Sequence, residues 1–168
     1  GYLAERKASG RDIFVYSMPL HISPLDPPWD MFSGEWLKTP GIRWDFVDET
    51  TRRRSHVVPC CGITGAADWH TANAKRLFET QPLLFGVYYD ISSIGECTNA
   101  RHGHGGVDSF GRAYATSTAL GMREYFLRIL KLCRAYGRRF QVHAHNLYFP
   151  FIHSLADSCS PGEEQYSA

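Results

Sequence analysis

The sequence predicts an α/β fold in which parallel strands form part of a (β/α)8 TIM-like barrel. Strand and helix patterns alternate along the chain, which is typical of parallel sheets. Polar residues follow the ends of successive strands, at Asp90, His143 and Glu163, where such barrels hold their active sites. A full barrel takes about 250 residues. The 168 residues therefore predict a single domain, 1–168, that is a fragment of a barrel from a longer chain.

The first half of the chain is predicted to contain few regular elements. Residues 2–8 predict a helix that ends near Gly10, and residues 12–20 predict a buried strand rich in β-branched and aromatic residues. Residues 23–41 contain four prolines and predict an irregular excursion. A short strand is predicted at residues 42–48.

The second half predicts the core of the sheet. Helical spacing of apolar residues predicts helices at 66–79 and 117–136, and apolar runs predict strands at 82–91, at 138–146 and within 151–160. The segment between strand 82–91 and the second helix, rich in His and Gly, is predicted to be a loop. The buried side of helix 117–136 is predicted to comprise Leu120, Phe126, Leu127, Leu130 and Cys133.

An open doubly wound sheet is the competing parallel architecture. No strand is followed by the GxGxxG turn of a dinucleotide-binding sheet, so no cofactor is predicted. A net charge of +1 gives no basis for binding nucleic acid or an anionic membrane. The five cysteines show no CxxC spacing and are predicted to be isolated thiols.

Carboxylates after strand ends are the main catalytic candidates. Asp90 directly follows the apolar run "LLFGVYY", and Glu163 and Glu164 follow the last strand in "SPGEEQY". Glycosidases typically use a pair of carboxyl groups, and two carboxylates at one barrel mouth would supply that pair. The simpler interpretations are a turn aspartate at Asp90 and a solvated surface at the glutamates.

Histidines form two closely spaced pairs. His102 and His104 lie in "RHGHGG", and His143 and His145 lie two apart on a strand, so the second pair shares one face. Metal ligation, contact with substrate and a structural role are all open to them. We favour contact with sugar hydroxyls, together with Asn146, and assign no metal.

Aromatic residues make up 14% of the chain and cluster beside loops and strand ends. Flat apolar rings next to polar groups suit the faces of sugars, although core packing is the ordinary role of each ring. Tyr89, next to Asp90, is predicted to contact substrate. The clustered rings are Trp29, Trp36, Trp44, Tyr88, Tyr89, Tyr148 and Phe149.

The order of these motifs resembles that of a known family. "FGVYYD", "NARHGHGGVDSFGR", "GMREYFLRILKL", "HAHN" and "SLADSCSPGEEQY" follow one another over residues 83–166. This succession resembles the catalytic (β/α)8 domain of bacterial proteins similar to glycoside hydrolase family 123. The resemblance implies cleavage of β-linked sugars, with N-acetylgalactosamine as the characterised sugar.

The resemblance also implies a mechanism from which this sequence departs. Family 123 uses an adjacent Asp-Glu pair, in which the Asp orients the substrate's own acetamido group and the Glu donates a proton. The only such dipeptide here is Asp48-Glu49, outside the matching region, whereas positions 163 and 164 are both Glu. We therefore expect Asp90 to be the charged carboxylate and Glu163 the general acid, with Glu164 as the alternate acid.

Two other interpretations remain open. The first is a metal-dependent hydrolase that uses His143 and His145 with His102 or His104 and with Asp90. The second is a carbohydrate-binding barrel fragment without catalysis. The expected partners are a carbohydrate substrate and the remaining segments of the barrel.

Overall fold

A computed structural model of the protein describes residues 1–23, 26–37, 65–144 and 147–160. None of the helices in these ranges is long and apolar enough to cross a membrane. The helices are α1 (Tyr2–Ala8), α2 (Trp29–Trp36), α3 (Gly65–Thr80), α4 (Ala119–Ala135) and α5 (Pro150–His153). The strands are β1 (Phe14–Ser17), β2 (Gly86–Tyr89), β3 (Glu96–Cys97), β4 (Gly105–Val107), β5 (Ala113–Ser117), β6 (Arg139–His143) and β7 (Ser158–Ser160).

Four strands form a parallel sheet in the order β1, β2, β6, β7. Each strand pairs in parallel with its neighbour, for example through Val15 with Val87 and Val87 with Phe140. The strand order follows the chain order without reversal, unlike that of a doubly wound sheet. The mixed α/β class and the parallel sheet are confirmed, whereas closure into a barrel stays a prediction.

Helices α3, α4 and α5 pack on one face of this sheet. Side chains along each strand alternate between the two faces, so every second one points toward these helices. Val87 and Tyr89 of β2 and Phe140 and Val142 of β6 are all at most 2% exposed and pack in one cluster with α3, α4 and α5. Burying one such side chain contributes roughly 1.5 to 3 kcal/mol. Residues at the intervening positions of these strands lie on the opposite face.

Helix α4 supplies much of this core through residues at helical spacing. Met122, Phe126, Ile129 and Cys133 are fully buried, which follows the i, i+4, i+7, i+11 pattern. The prediction for Leu120 is wrong: its side chain is 76% exposed because it lies to the side of this stripe.

The prediction of an irregular excursion at 23–41 is wrong in part, because α2 lies within it. Pro27 and Pro28 immediately precede the helix, with Pro28 at the N-cap. A proline at a helix start costs no hydrogen bond, since the first N–H groups have no partner within the helix. The strand predicted at 42–48 lies outside the described residues.

The segment after β2 is not simply a loop, since it folds into a three-stranded antiparallel sheet in the order β3, β5, β4. We call this sheet the ribbon. Strand β5 pairs with β3 through Cys97 and Thr116 and with β4 through Gly105 and Ala115. The ribbon therefore holds the two ends of the His- and Gly-rich segment against a single strand.

Candidate functional site

Asp90 lies at the carboxyl end of β2, between residues of the two neighbouring strands. The hydroxyl of Tyr16 in β1 donates a hydrogen bond of 2.5 Å to Oδ2, and Nδ1 of His143 in β6 contacts Oδ1. The backbone N–H of Ile91 also donates to Oδ1, at 2.8 Å. The Asp90 side chain is only 18% exposed. Three neighbouring strands thus orient one carboxylate at the end of the sheet where the parallel strands have their carboxyl ends.

The electrostatics of Asp90 favour its charged form. Burial alone raises the pKa of this carboxyl, but the hydrogen bonds from Tyr16, His143 and the Ile91 N–H outweigh burial and hold the pKa below its ordinary value. Asp90 is therefore ionised at neutral pH, and His143 donates its Nδ1–H to it. A carboxylate of this kind can act as a nucleophile or stabilise positive charge, but it is a poor proton donor.

The backbone around Asp90 is fixed by a second layer of polar groups. Ser92 is fully buried, and its hydroxyl donates to the carbonyl oxygen of His143 at 2.5 Å. His153 donates from Nε2 to the carbonyl oxygen of Ser92 at 2.6 Å and accepts the N–H of Phe149 at Nδ1 at 3.0 Å. Burial lowers the pKa of His153 despite the bond to Ser92, which agrees with this neutral tautomer.

The turn that follows Asp90 has an unusual backbone conformation. Ile91 has a φ of 49° and is the one non-glycine residue with a positive φ among those that the structure describes. A β-branched side chain is disfavoured in this region. The direction in which the chain leaves β2 is therefore imposed by its surroundings.

A groove lies on the sheet face opposite the helices. It has a volume of about 320 Å³ and is lined by Phe14, Tyr16, Tyr88, Gln141 and Ser160. The Tyr16 and Tyr88 ring centroids are 5.9 Å apart. The groove thus combines apolar rings with an amide and a hydroxyl.

Tyr89 does not lie on this face, so its predicted contact with substrate is corrected. Its side chain is 2% exposed, its ring stacks on that of Tyr125 at 5.9 Å, and its hydroxyl accepts a hydrogen bond from the Tyr125 hydroxyl. Successive strand residues point to opposite faces, so the tyrosine on the groove side is Tyr88. The sequence implies that Tyr88 and Tyr89 point to opposite faces of the strand, but an apolar run does not reveal which face packs on the helices.

His102 and His104 lie between strands β3 and β4 of the ribbon rather than in the parallel sheet. They form a cluster with Cys97 in which three potential ligand atoms lie within 4.8 Å of one another. Burial lowers the pKa of His104, and the nearby His102 lowers it further. No other group of three or more possible ligands occurs in the described parts of the chain. The metal-dependent alternative joined His102 or His104 to Asp90, His143 and His145. The described residues do not bring these histidines together with Asp90 and His143, and His145 lies outside them.

Four of the predicted site residues lie outside the described residues. Glu163 and Glu164 begin three positions after the end of β7, and His145 and Asn146 begin two positions after the end of β6. Their predicted roles stay predictions. Sequence reasoning missed the roles of Tyr16 and Ser92, since each depends on long-range contacts made by folding. It also missed the short-range contact of Cys97 with His102.

Comparison with known proteins gives structural neighbours alone. No protein-family model matches the chain, and no curated protein matches it in sequence. A Kfla1895 mutant in complex with isomaltose is similar with a TM-score of 0.47 and 16% identity, over 84% of this chain and 20% of that one. A cycloalternan-degrading enzyme from Trueperella pyogenes gives a TM-score of 0.46 and 14% identity over the same shares. The chain thus spans about a fifth of the length of either neighbour.

Proposed function

We propose that the chain contributes to a site that hydrolyses glycosidic bonds, with Asp90 as its ionised carboxylate. The observation that carries this proposal is the position of Asp90 at the sheet edge, held by Tyr16 and His143. Its lowered pKa, set by those bonds against the opposing effect of burial, suits the charged partner of a carboxyl pair. Such a carboxylate attacks the anomeric carbon or stabilises the oxocarbenium-like transition state.

The second carboxyl of the proposed pair is Glu163, with Glu164 as the alternate. Strand β7 lies beside β6 in the same parallel sheet, and the carboxyl ends of parallel strands meet at one edge. The chain that follows β7 therefore begins at the same end of the sheet as Asp90, which supports the pairing. A separation of about 5 Å between the carboxyls corresponds to retention of anomeric configuration, and one of about 6.5 to 9.5 Å to inversion.

The groove offers the surface on which a sugar would bind. Tyr16 and Tyr88 present aromatic rings, whereas Gln141 and Ser160 present groups that can hydrogen-bond with hydroxyls. Tyr16 joins the two parts, since it lines the groove and donates to Asp90. A sugar ring stacked there would place its polar edge close to the carboxylate.

The resemblance to family 123 suggests which substrates to try first. We propose β-linked N-acetylgalactosaminides as the first members of a panel that also includes glycosides lacking an acetamido group. Hydrolysis of the latter would show that the substrate's acetamido group is dispensable, as the absence of an Asp-Glu pair at positions 163 and 164 suggests.

The test is hydrolysis of this panel by the full-length protein and by its Asp90→Asn and Glu163→Gln variants, because the remaining barrel segments are expected to complete the site. We expect each variant to lower kcat by about 10³-fold, within the range for loss of an acid or base group. Asp108→Asn, which changes a carboxylate in the turn between β4 and β5, is the matched control and should leave kcat unchanged. Wild-type rates in both site variants would contradict the assignment. Sugar binding without turnover would favour the non-catalytic interpretation.

A further inference from the structure

The His- and Gly-rich segment brings together three side chains that commonly bind metals. Cys97 ends β3, His102 ends a one-turn 3-10 helix at Ala100–His102, and His104 directly precedes β4. The Sγ atom of Cys97 lies 3.1 Å from Nδ1 of His102, and one ligand atom from each residue lies within 4.8 Å of the others. The set therefore consists of one sulfur and two imidazole nitrogens.

His102 is oriented as metal-binding histidines usually are. Its Nε2 contacts the carbonyl oxygen of Glu35, and because a carbonyl can only accept, Nε2 must carry the proton. In the neutral ring, Nδ1 then presents its lone pair to Cys97. Ligating histidines typically donate their second N–H to a carbonyl or carboxylate in this way, which fixes both the tautomer and the ring position.

Asn99 anchors the segment that carries these three side chains. Asn99 is 2% exposed, and its side-chain oxygen caps the 3-10 helix by accepting the N–H of Arg101 at 3.0 Å. Its amide nitrogen donates to the carbonyl oxygen of Leu37 at 2.8 Å. Asn99 therefore anchors the segment to the end of α2, and Glu35, which orients His102, belongs to the same helix.

The two ends of the segment are fixed by the ribbon. Cys97 and Gly105 pair with Thr116 and Ala115, two adjacent residues of β5. A Cβ on Gly105 would lie 2.0 Å from the carbonyl oxygen of Thr98, so only glycine allows this close approach. The three side chains are consequently positioned by a preformed scaffold.

We propose that Cys97, His102 and His104 bind a zinc ion. Thiolate and imidazole are the ligands that Zn²⁺ prefers, whereas Mg²⁺ and Ca²⁺ take oxygen ligands. Tetrahedral zinc bonds of about 2.3 Å to sulfur and 2.0 Å to nitrogen place those two atoms about 3.5 Å apart. The Sγ to Nδ1 distance of 3.1 Å needs only a small outward movement to reach that value.

Binding follows a simple proton balance. Zinc binding requires Cys97 as the thiolate and His102 and His104 as lone-pair donors, so any protons that these ligand atoms carry leave as the ion binds. The sulfur is fully buried, but both histidines are partly exposed, so an ion can enter from their side. Three protein ligands leave a fourth position for water or another donor. The three proposed ligands include neither Asp90 nor Glu163, so the zinc proposal does not depend on the carboxylate pair.

The test is titration of the chelator-stripped chain with Zn²⁺ and with Co²⁺, followed by metal analysis. We expect one ion per chain and, for Co²⁺, thiolate charge-transfer absorption with tetrahedral d–d bands. Cys97→Ser should lower zinc affinity by at least about 100-fold, because even loss of an outer partner costs 10- to 100-fold. The matched control, Cys159→Ser, changes a partly buried thiol of β7 and should leave zinc affinity unchanged.

Other outcomes would overturn the zinc site. They are wild-type protein without a bound ion, a cobalt complex without the thiolate band, and zinc affinity that survives Cys97→Ser. If Cys97→Ser does not fold, as judged by circular dichroism, His104→Ala provides the test, and the wild-type cobalt spectrum needs no variant. Glycoside hydrolysis is not a readout here, so failure of this proposal and failure of the carboxylate site are distinguishable.

Discussion

The two polar sites of this protein are assembled in opposite ways. Asp90 meets Tyr16 and His143, which lie 74 and 53 positions away in the chain, through three strands of the parallel sheet. Cys97 meets His102 only five positions away, within one segment of the ribbon. The described carboxylate site thus requires β1, β2 and β6 to assemble, whereas the ribbon site requires local structure and an anchor on α2.

This difference predicts different responses to damage. A change that shifts one sheet strand moves a partner of Asp90 and disturbs the core that β2 and β6 share with the helices. A change in the ribbon affects strands that are short and, in β5, exposed along their whole length. We therefore expect stability to depend mainly on the sheet, as is usual for elements with many buried contacts.

The largest effect is expected from alanine at two glycines that approach neighbouring backbone. A Cβ on Gly86 would lie 2.0 Å from the carbonyl oxygen of Arg139 in β6, and one on Gly105 would lie 2.0 Å from that of Thr98. We expect Gly86→Ala to lower the free energy of unfolding by about 3 kcal/mol and Gly105→Ala to lower it by less while abolishing zinc binding. Urea unfolding measures both losses of stability, and zinc titration measures the loss of binding.

Gly103→Ala is the control for the glycine comparison. Gly103 has a φ of 69°, but a Cβ there would meet nothing within 4 Å, so we expect only the left-handed penalty of about 1 kcal/mol. Equal losses of stability for Gly86→Ala and Gly105→Ala would show that the ribbon is as integral to the fold as the sheet.

A smaller effect is expected at two aspartates that accept similar sets of hydrogen bonds. Asp157, 14% exposed, accepts from Arg134, Arg139 and the Phe140 N–H beside the sheet. Asp108 accepts from Arg112 and from backbone N–H groups in the ribbon turn. We expect Asp157→Asn to cost about 2 kcal/mol of unfolding free energy and Asp108→Asn to cost less, because water screens the ribbon turn.

The pH dependence provides a second measurement at Asp157. Burial raises the pKa of its carboxyl, but hydrogen bonds from Arg134, the Phe140 N–H and Arg139 outweigh burial and hold the pKa below 3.8. A depressed folded-state pKa stabilises the fold above the unfolded-state value and loses that contribution as the pH falls through the folded-state value. Unfolding free energy measured below pH 3.8 should therefore fall less steeply in Asp157→Asn than in the wild type. Identical slopes would contradict this assignment.

The smallest effect is expected from removing one hydroxyl at the carboxylate site. Tyr16→Phe deletes a donor to Asp90 while burial, which raises the pKa of this carboxyl, remains. We expect the pKa of Asp90 to rise, as measured by carbon-13 NMR titration of the carboxyl group. The control is Tyr114→Phe in β5, which removes a hydroxyl from the ribbon. An unchanged Asp90 pKa in Tyr16→Phe would show that His143 and the Ile91 N–H suffice.

The sequence predicted those parts of the fold that depend on local pattern. Helical spacing located α3 and α4, and the apolar run before Asp90 located β2 and its polar end, since periodicity and composition are properties of short windows. It did not predict that Tyr88 rather than Tyr89 faces the groove, because both lie in one apolar run and only packing against α4 distinguishes the two faces.

The ribbon was missed for a different reason. Its strands β3 and β4 are only two and three residues long, too short to show alternation, and glycines in β4 weaken any strand signal. The Cys97 contact was also missed, because the spacing between cysteines alone does not reveal a contact between a cysteine and a histidine. The spacing Cys-x4-His-x-His was a local signal and could have been recognised.

The left-handed turn at Ile91 has a consequence for engineering. Holding a β-branched residue at a φ of 49° costs roughly 1 to 2 kcal/mol, and that strain lies in the residue whose N–H donates to Asp90. Ile91→Gly would remove the steric cost but give the unfolded chain more freedom. Asn and Asp adopt the left-handed conformation more readily than Ile. Laboratory evolution for heat resistance alone should therefore favour Asn or Asp at position 91. Mutations that accumulate there would show that the strain at Ile91 lowers the thermal stability of the protein.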